Sequence, residues 1–254
     1  MQDYTIAVFG LKRERRRLMT ALTKIEKLCA WYNEGNNVLD SLDLTLEKNT
    51  VVGLLGLNGA GKTTLINVLC GLHNDYRLGN SDTPKNYFRD NKFKENRYVV
   101  FSEDDSFGFF TFDEYIRYVF KTYKKKLNTE LVEELIELFN FSSYRSVMIK
   151  ELSLGNRKKV YLITGFALRT DLLLLDEPVN GLDFQSTEAL YRLIKEYKEY
   201  GTVLFSSHIL ESVTLTADKV VILENGKITK TFEKDQINAE NIRNSLDFER
   251  DDNK

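Results

Sequence analysis

The chain has 254 residues, of which 42% are hydrophobic, and a formal net charge of −2. It is therefore long enough to bury a sizeable core, its charge balance argues against a basic nucleic-acid-binding surface, and no apolar run approaches the roughly 18 residues of a membrane-spanning helix. Two cysteines, Cys29 and Cys70, are too few for a disulfide framework or a cysteine metal cluster and favour a reducing, cytoplasmic compartment.

Residues 1–22 form a predicted N-terminal extension that contains a basic run at residues 12–17. No long apolar segment follows this run, so it is not a signal peptide. One interpretation is a basic arm that contacts anionic lipid or RNA. The interpretation that we favour is a misassigned translation start, because Arg15 and Arg16 can be encoded by a purine-rich ribosome-binding sequence just ahead of Met19. Met19 is then the expected first residue of the natural protein.

From Thr23 onward, short apolar runs alternate with helical patterns, which predicts an α/β sheet protein. Buried strands are predicted at residues 51–55, 98–101, 172–175, 202–206 and 219–223. The first, third and fourth of these are nearly all apolar, as is typical of parallel strands covered on both faces. Residues 42–46 alternate and predict an edge or antiparallel strand, and Asn225-Gly226 predicts a hairpin turn that leads into residues 228–232.

The middle of the chain has a helical pattern and no strand pattern. Thr111 and Glu114 have the spacing of a capping box, and apolar residues follow at helical intervals. We therefore predict a helical subdomain, about residues 105–170, inserted within a domain of residues 23–235. Residues 236–254 are polar and are predicted to form a C-terminal tail.

A glycine-rich segment at residues 56–64 follows the first buried strand and precedes an apolar helical pattern through Leu65, Leu69 and Leu72. It matches G-x-x-x-x-G-K-[ST], the phosphate-binding P-loop, in the strand–loop–helix context that the motif requires. Curled backbone N–H groups and the helix N-terminus would bind phosphates there. The predicted nucleotide-binding residues are Gly56, Asn58, Gly59, Ala60, Gly61, Lys62, Thr63 and Thr64, with Lys62 reaching the β- and γ-phosphates and Thr63 ligating Mg²⁺.

Two acids, Asp176 and Glu177, end the apolar strand at residues 172–175. Carboxylates are costly at such a place unless a cation lies nearby. In a P-loop fold Asp176 would hold Mg²⁺, usually through water, and Glu177 would orient and deprotonate the attacking water. The alternative in isolation is a strand that ends in solvated acids, and the P-loop further favours the catalytic interpretation.

Residues 152–156, Leu-Ser-Leu-Gly-Asn, precede these acids and resemble the signature Leu-Ser-Gly-Gly-Gln of the ATP-binding cassette (ABC) family. Leu154 and Asn156 depart from that signature, and the shorter Asn156 side chain alters one contact. The resemblance extends from Thr23 to about Phe232. It implies an α/β fold: a P-loop NTPase core with an inserted helical subdomain and an antiparallel N-terminal sheet, the ABC ATPase fold.

The resemblance also implies roles for further residues. Lys62, Glu177 and His208 would be the catalytic groups. From the opposite subunit of a dimer, ATP would be contacted by Ser153, Gly155, Asn156 and Asp183. Tyr32, or less so Trp31, would stack on adenine, although a core aromatic is the alternative at that position. Glu103 stands where the family carries Gln and would be a ligand of Mg²⁺ together with Thr63 and Asp176.

The function that the resemblance implies is the ATP-binding, ATP-hydrolysing subunit of an ABC transporter, with ATP and Mg²⁺ as cofactors and no nucleic acid as partner. It would act at the inner face of the cell membrane with a separate transmembrane permease and a second cassette, identical or homologous, and export is favoured over import. An aromatic cluster would contact the membrane subunit or pack in the helical core; its members are Phe107, Phe109, Phe110 and Phe112.

Three alternatives stay open. The first is a soluble ABC-type ATPase that acts on the ribosome or DNA, for which a single cassette with a short insertion is atypical. The second is a P-loop kinase or other NTPase without the sandwich dimer, and the third is a regulatory ABC subunit that binds ATP with little hydrolysis.

Overall fold

The computed structural model describes residues 21–79 and 87–245, which form two sheets flanked by helices. The strands are β1 (Ala21–Asn33), β2 (Asn36–Glu47), β3 (Val51–Leu55), β4 (Tyr76–Arg77), β5 (Arg97–Val100), β6 (Leu172–Leu175), β7 (Thr202–Ser207), β8 (Lys219–Glu224) and β9 (Lys227–Glu233). The helices are α1 (Lys62–Leu69), α2 (Asn91–Glu95), α3 (Phe112–Thr122), α4 (Thr129–Leu138), α5 (Leu154–Leu168), α6 (Phe184–Glu196), α7 (Leu210–Thr216) and α8 (Ala239–Arg243).

The larger sheet has the order β5-β6-β7-β3-β8-β9 and is parallel except for the antiparallel β8–β9 hairpin. Every residue of β3, β6 and β7 is buried, which confirms the prediction of strands covered on both faces. Their register pairs Leu175 with Phe205 and Leu55 with Ser207. The P-loop and the segments after β6 and β7 therefore leave the sheet at one edge, where ligands bind in open α/β sheets.

The smaller sheet is antiparallel, with the order β2-β1-β4. The alternating residues 42–46 lie in its edge strand, β2, which confirms that prediction. The residue pattern did not predict β1, because its pairing with β2 shifts register several times, starting between Ala21 and Thr23. Such bulges interrupt the two-residue alternation by which a strand is recognised.

The core consists of two apolar layers on opposite faces of the larger sheet. Leu54, Leu174 and Leu204 point towards α1 and the smaller sheet, whereas Leu175 and Phe205 point towards the helical region. Adjacent strand residues alternate between the layers, as the pleat of a sheet requires. The carboxyl edge of the sheet, at which β3, β6 and β7 end, is thus fixed from both sides by close packing.

The region between β5 and β6 is helical, as predicted. Thr111 and Glu114 form the predicted capping box at the start of α3. In α5, every residue from Lys158 to Leu168 is buried. The extension of the P-loop helix to Leu72 was wrong, because α1 ends at Leu69 and the Leu72 side chain is exposed. No helix of the described residues is long and apolar enough to cross a membrane.

The predicted domain boundaries stay predictions. Residues 1–20, which include Met19, lie outside the described residues, as do residues 246–254. Strand β1 already begins at Ala21, and α8, within the predicted tail, buries Ile242 completely in the core.

Candidate nucleotide-binding site

The loop between β3 and α1 needs glycine at two positions in particular. A Cβ on Gly56 would lie 2.4 Å from the carbonyl oxygen of Leu223, so only glycine allows this approach to β8. Gly61, the N-cap of α1, has a φ of 106°, which L-residues rarely adopt. The sequence therefore forms a tight loop that ends at a helix N-terminus, a local structure suited to anions.

Lys62 is buried, and its ammonium contacts both the P-loop and the acid Glu177 after β6. Its Nζ donates hydrogen bonds to the carbonyl oxygens of Gly56 (2.7 Å) and Leu57 (3.2 Å). The same nitrogen lies 3.3 Å from Glu177 Oε1, an atom that accepts no hydrogen bond among the described residues. The P-loop cation and the predicted catalytic carboxylate are therefore an ion pair at the carboxyl edge of the sheet.

Asp176 is completely buried and has hydroxyl partners on both oxygens. Thr63 Oγ1 donates to Oδ2 (2.9 Å), and Ser206 Oγ donates to Oδ1 (2.6 Å). Ser206 also accepts a hydrogen bond from the backbone N–H of Glu177 (2.8 Å). We did not predict this role for Ser206; the signal was its place in the predicted strand at residues 202–206, directly after Phe205, which pairs with Leu175 just before Asp176.

The oxygen atoms of Thr63 and Asp176 fit a magnesium ion that is completed by phosphate oxygens and water. They are 2.9 Å apart and lie beside the P-loop. Within residues 21–79 and 87–245 no group of three or more His, Cys, Asp or Glu side chains could hold a metal without such help. The third predicted ligand, Glu103, lies exposed in the loop after β5.

Glu177 adopts a left-handed backbone conformation, with a φ of 46°. Its Oε2 lies 2.9 Å from His208 Nδ1, so the structure brings the predicted histidine to the predicted carboxylate. Its carbonyl oxygen accepts a hydrogen bond from Lys158 Nζ (2.9 Å). Burial lowers the pKa of Lys158 to about 8, against the opposing effect of nearby carboxylates. We did not predict a role for Lys158, because it lies in a basic run that reads as a solvated surface.

The signature turn, residues 153–156, starts α5. Ser153 is the N-cap, and its hydroxyl accepts a hydrogen bond from the Asn156 backbone N–H (3.3 Å). A Cβ on Gly155 would lie 2.1 Å from the Gly181 carbonyl oxygen, so glycine is required for this helix to pack on the segment after β6. Within the described part of the chain, no hydrogen bond or ion pair joins the signature turn to the P-loop of the same subunit.

Asp183 caps the N-terminus of α6. It accepts hydrogen bonds from the backbone N–H of Ser186 (2.8 Å) and from Lys159 Nζ (2.7 Å). These contacts lower the pKa of Asp183 to about 2. Its position is thereby fixed within this chain, and its contact with ATP across a dimer stays a prediction.

Tyr32 lies at the end of β1 beside the P-loop. Its ring is 57% exposed, packs edge-on against His73, and carries a hydroxyl 3.3 Å from Thr64 Oγ1. An exposed ring next to α1, the helix after the P-loop, can stack on a base. Trp31, the other predicted candidate, is more buried, and its carbonyl oxygen contacts His73 Nε2 (2.9 Å).

The predicted aromatic cluster divides between surface and core. Phe112 is fully buried, whereas Phe109 is 77% exposed. The segment between β5 and α3 forms a loop, and we define the aromatic patch as the exposed side chains on or beside it: Phe107, Phe109, Tyr118 and Met148. The loop is attached to α5, since Arg157 pairs with Asp105 and the Tyr161 hydroxyl donates to the Ser106 carbonyl oxygen (2.8 Å).

The sequence is similar to those of known proteins. Residues 39–180 match the family described as ABC transporter. The chain is 40% identical over 221 residues to AlbC of Bacillus subtilis, designated an ABC transporter ATP-binding protein, covering 84% of this chain and 92% of AlbC. It is 31% identical over 196 residues to the ABC transporter ATP-binding protein NatA of the same organism, covering 74% and 78% of the two chains.

Two solved structures show the same fold. The ATP-binding subunit of an ABC transporter superposes with a TM-score of 0.72 at 26% identity and covers 87% of this chain and 92% of that one. A dimeric bacterial ABC transporter cassette superposes with a TM-score of 0.71 at 17% identity, covering 83% and 98%. The second likeness concerns the fold alone.

Proposed function

The chain belongs to the ABC transporter family, whose ATP-binding domain is an ATPase, and on that premise we propose that it powers transport through a separate membrane subunit. The observation that supports the proposal is that Lys62, Glu177 and His208 lie together at the carboxyl edge of the sheet. Glu177 Oε1 is 3.3 Å from Lys62 Nζ, and Glu177 Oε2 is 2.9 Å from His208 Nδ1. Export is the direction that we favour.

Glu177 is the residue that we assign to activation of the attacking water. Its buried carboxylate is held between an ammonium and an imidazole, so its orientation is fixed where it can align a water molecule and accept its proton. Lys62 would exchange its carbonyl partners for phosphate oxygens. His208 uses Nδ1 towards Glu177, and its Nε2 would donate to the γ-phosphate in the imidazolium form, in which both ring nitrogens carry a proton.

Thr63 and Asp176 would hold Mg²⁺, which, when bound, neutralises charge on the phosphates. Ser206 supports this pair, because one hydroxyl links the Asp176 carboxylate to the Glu177 backbone N–H. This link would keep the Asp176 carboxylate at a fixed distance from the Glu177 backbone.

We propose that two copies, or this chain and a homologue, enclose ATP between the P-loop of one and the signature turn of the other. The helix N-terminus at Ser153 offers backbone N–H groups to an anion, and no bond ties it to its own P-loop within the described residues. ATP would then stabilise the closed dimer as a shared ligand, and hydrolysis would release it.

The aromatic patch is the surface that we assign to the membrane subunit at the inner face of the membrane. Exposed aromatic side chains clustered on one face are typical of protein–protein interfaces. Phe109 is the most exposed member, and Lys150 Nζ lies 4.1 Å from its ring centre.

The experiment for the chemistry is ATP hydrolysis by the purified chain, with Glu177→Gln as the test variant. We expect Glu177→Gln to lower kcat at least 100-fold while ATP still binds, because the general base is lost and the phosphate contacts are kept. Glu188→Gln, an exposed acid on α6, is the matched control and should leave kcat unchanged. Full activity in Glu177→Gln would refute the assignment.

The experiment for the partner is affinity purification of the tagged chain from detergent-solubilised native membranes, followed by mass spectrometry. Stoichiometric recovery of a membrane-spanning protein, lost in Phe109→Ser but kept in the control Tyr200→Ser, would support the transporter role. Tyr200 is also an exposed aromatic, packed on Arg169 away from the patch. Recovery with ribosomes or DNA instead would overturn it.

A further inference from the structure

Lys158 is a buried lysine whose hydrogen bond does not go to a carboxylate. Only 3% of the residue is exposed, and its Nζ donates to the backbone carbonyl oxygen of Glu177 at 2.9 Å. Among the described residues it forms no ion pair within 4.0 Å. Burying an ammonium is expensive, so a lysine that served packing alone would be better replaced by an apolar side chain.

The atom that Lys158 contacts belongs to the strained residue of the site. Glu177 has a φ of 46°, a conformation that an L-residue keeps only when its surroundings hold it there. The peptide group before Glu177 is fixed by the bond from its N–H to Ser206 Oγ (2.8 Å). The carbonyl after it is fixed by Lys158 and, more weakly, by the Asn180 N–H (3.2 Å).

Three carboxylates favour the charged form of Lys158 at this place: Asp176, Glu177 and Glu103. The Lys158 ammonium therefore lies in the negative electrostatic field of these carboxylates, although its hydrogen bond goes to a carbonyl oxygen. A cationic donor makes a stronger hydrogen bond to a carbonyl than a neutral donor does. The charge thus strengthens the one contact that holds the Glu177 backbone.

We propose that Lys158 is a positioning residue for the ATPase: its ammonium holds the Glu177 carbonyl and so keeps the left-handed backbone that aims the Glu177 carboxylate. The inference rests on the proposed role of Glu177. It also connects two parts of the site, because Lys158 lies on α5, the helix that begins with the signature turn.

The test is steady-state ATP hydrolysis with Lys158→Met, which keeps the length of the side chain and removes the donor and the charge. We expect kcat to fall 10- to 100-fold while KM for Mg–ATP stays within twofold, because the P-loop contacts are untouched. Lys158→Arg, which keeps a cationic donor, should recover kcat to within about threefold. In the Glu177→Gln background, Lys158→Met should have no further effect on the residual rate.

The matched control is Lys125→Met. Lys125 Nζ also donates to backbone carbonyls, those of Leu168 and Arg169, but at the far end of α5. The kcat of Lys125→Met should equal that of the unmodified protein. If Lys158→Met does not fold, as judged by circular dichroism, Lys158→Gln is measured instead against the same criteria.

The proposal is overturned if Lys158→Met keeps kcat within twofold of Lys125→Met, if only KM changes, or if the loss is undiminished in the Glu177→Gln background. A protein that hydrolyses ATP, is inactivated by Glu177→Gln and tolerates Lys158→Met would contradict this inference alone. Unmodified protein without ATPase activity would contradict the proposed function and this inference with it.

Discussion

Replacement of Asp183 separates two contributions that this residue makes to stability. Asp183 is the N-cap of α6 and also the partner of Lys159, whose side chain is 5% exposed and whose Nζ lies 2.7 Å from Asp183 Oδ2. Asp183→Ala removes the cap and the charge. Asp183→Asn keeps the cap, because asparagine is as good an N-cap as aspartate, and removes the charge together with the Oδ2 acceptor of Lys159 and the Ser186 hydroxyl.

The cap contributes about 1 kcal/mol. Breaking a fully buried ion pair costs about 3–5 kcal/mol, but the Asp183 side chain is 55% exposed and solvent screens it. Lys159 also keeps its bond to the Phe139 carbonyl oxygen (2.9 Å). We therefore assign about 1.5 kcal/mol to the charge, which gives a loss of about 2.5 kcal/mol for Asp183→Ala and about 1.5 kcal/mol for Asp183→Asn.

Thermal unfolding followed by circular dichroism measures both losses. At about 2–4 °C per kcal/mol for a chain of this size, Tm should fall by about 5–10 °C in Asp183→Ala and by about 3–6 °C in Asp183→Asn. Equal losses in the two variants would refute the role of the cap. A Tm of Asp183→Asn equal to that of the unmodified protein would refute the role of the charge.

The pH dependence gives an independent check. The pKa of Asp183 is lowered from 3.8 to about 2, so the stability that its charge provides is complete above pH 3.8 and is lost as the pH falls through 2. The difference in Tm between the unmodified protein and Asp183→Asn should therefore be constant from pH 8 to pH 5. A difference that shrinks within that range would contradict the assignment of the low pKa.

Two further substitutions test the geometry around the phosphates. A Cβ on Gly155 would lie 2.1 Å from the Gly181 carbonyl oxygen, whereas real Cβ atoms essentially never approach another heavy atom within 3.0 Å. Gly155→Ala must therefore move the start of α5 away from the segment that contains Gly181 by about 0.9 Å. We expect at least a tenfold loss of ATPase activity with ATP affinity unchanged, as followed by the fluorescence of Trp31; a normal rate would count against the need for this close packing. Glu103→Gln removes a negative charge near the two acids after β6 and a predicted Mg²⁺ ligand, so hydrolysis should need more Mg²⁺, and an unchanged half-saturating Mg²⁺ concentration would contradict that role.

The sequence predicted the larger sheet well, because its strands are buried on both faces and therefore appear as apolar runs. Val51–Leu55 and Leu172–Leu175 have the predicted bounds, and the acids after the second of these runs meet the P-loop as expected. Strand β1 was predictable only from the family resemblance, since its bulges break the alternation that marks a half-buried strand.

The sequence predicted those residues of the candidate site that belong to recognisable motifs. A motif names residues that contact a ligand, and the structure adds the residues that hold them. Ser206 and Lys158 were not predictable in these roles, because each acts through a backbone group of Glu177 that is distant in sequence. Their signal is spatial: Ser206 lies at the end of β7, the strand beside β6, and Lys158 lies on α5, which brings its ammonium to the Glu177 carbonyl.

Helix α5 contacts three of the functional parts of the chain along its length. Its first turn packs on the segment after β6 through Gly155, Lys158 holds the Glu177 carbonyl, and Arg157 and Tyr161 hold the loop that carries Phe109. Because α5 is one continuous helix, a displacement of the aromatic patch would tilt it and so shift the Lys158 ammonium that holds the Glu177 carbonyl.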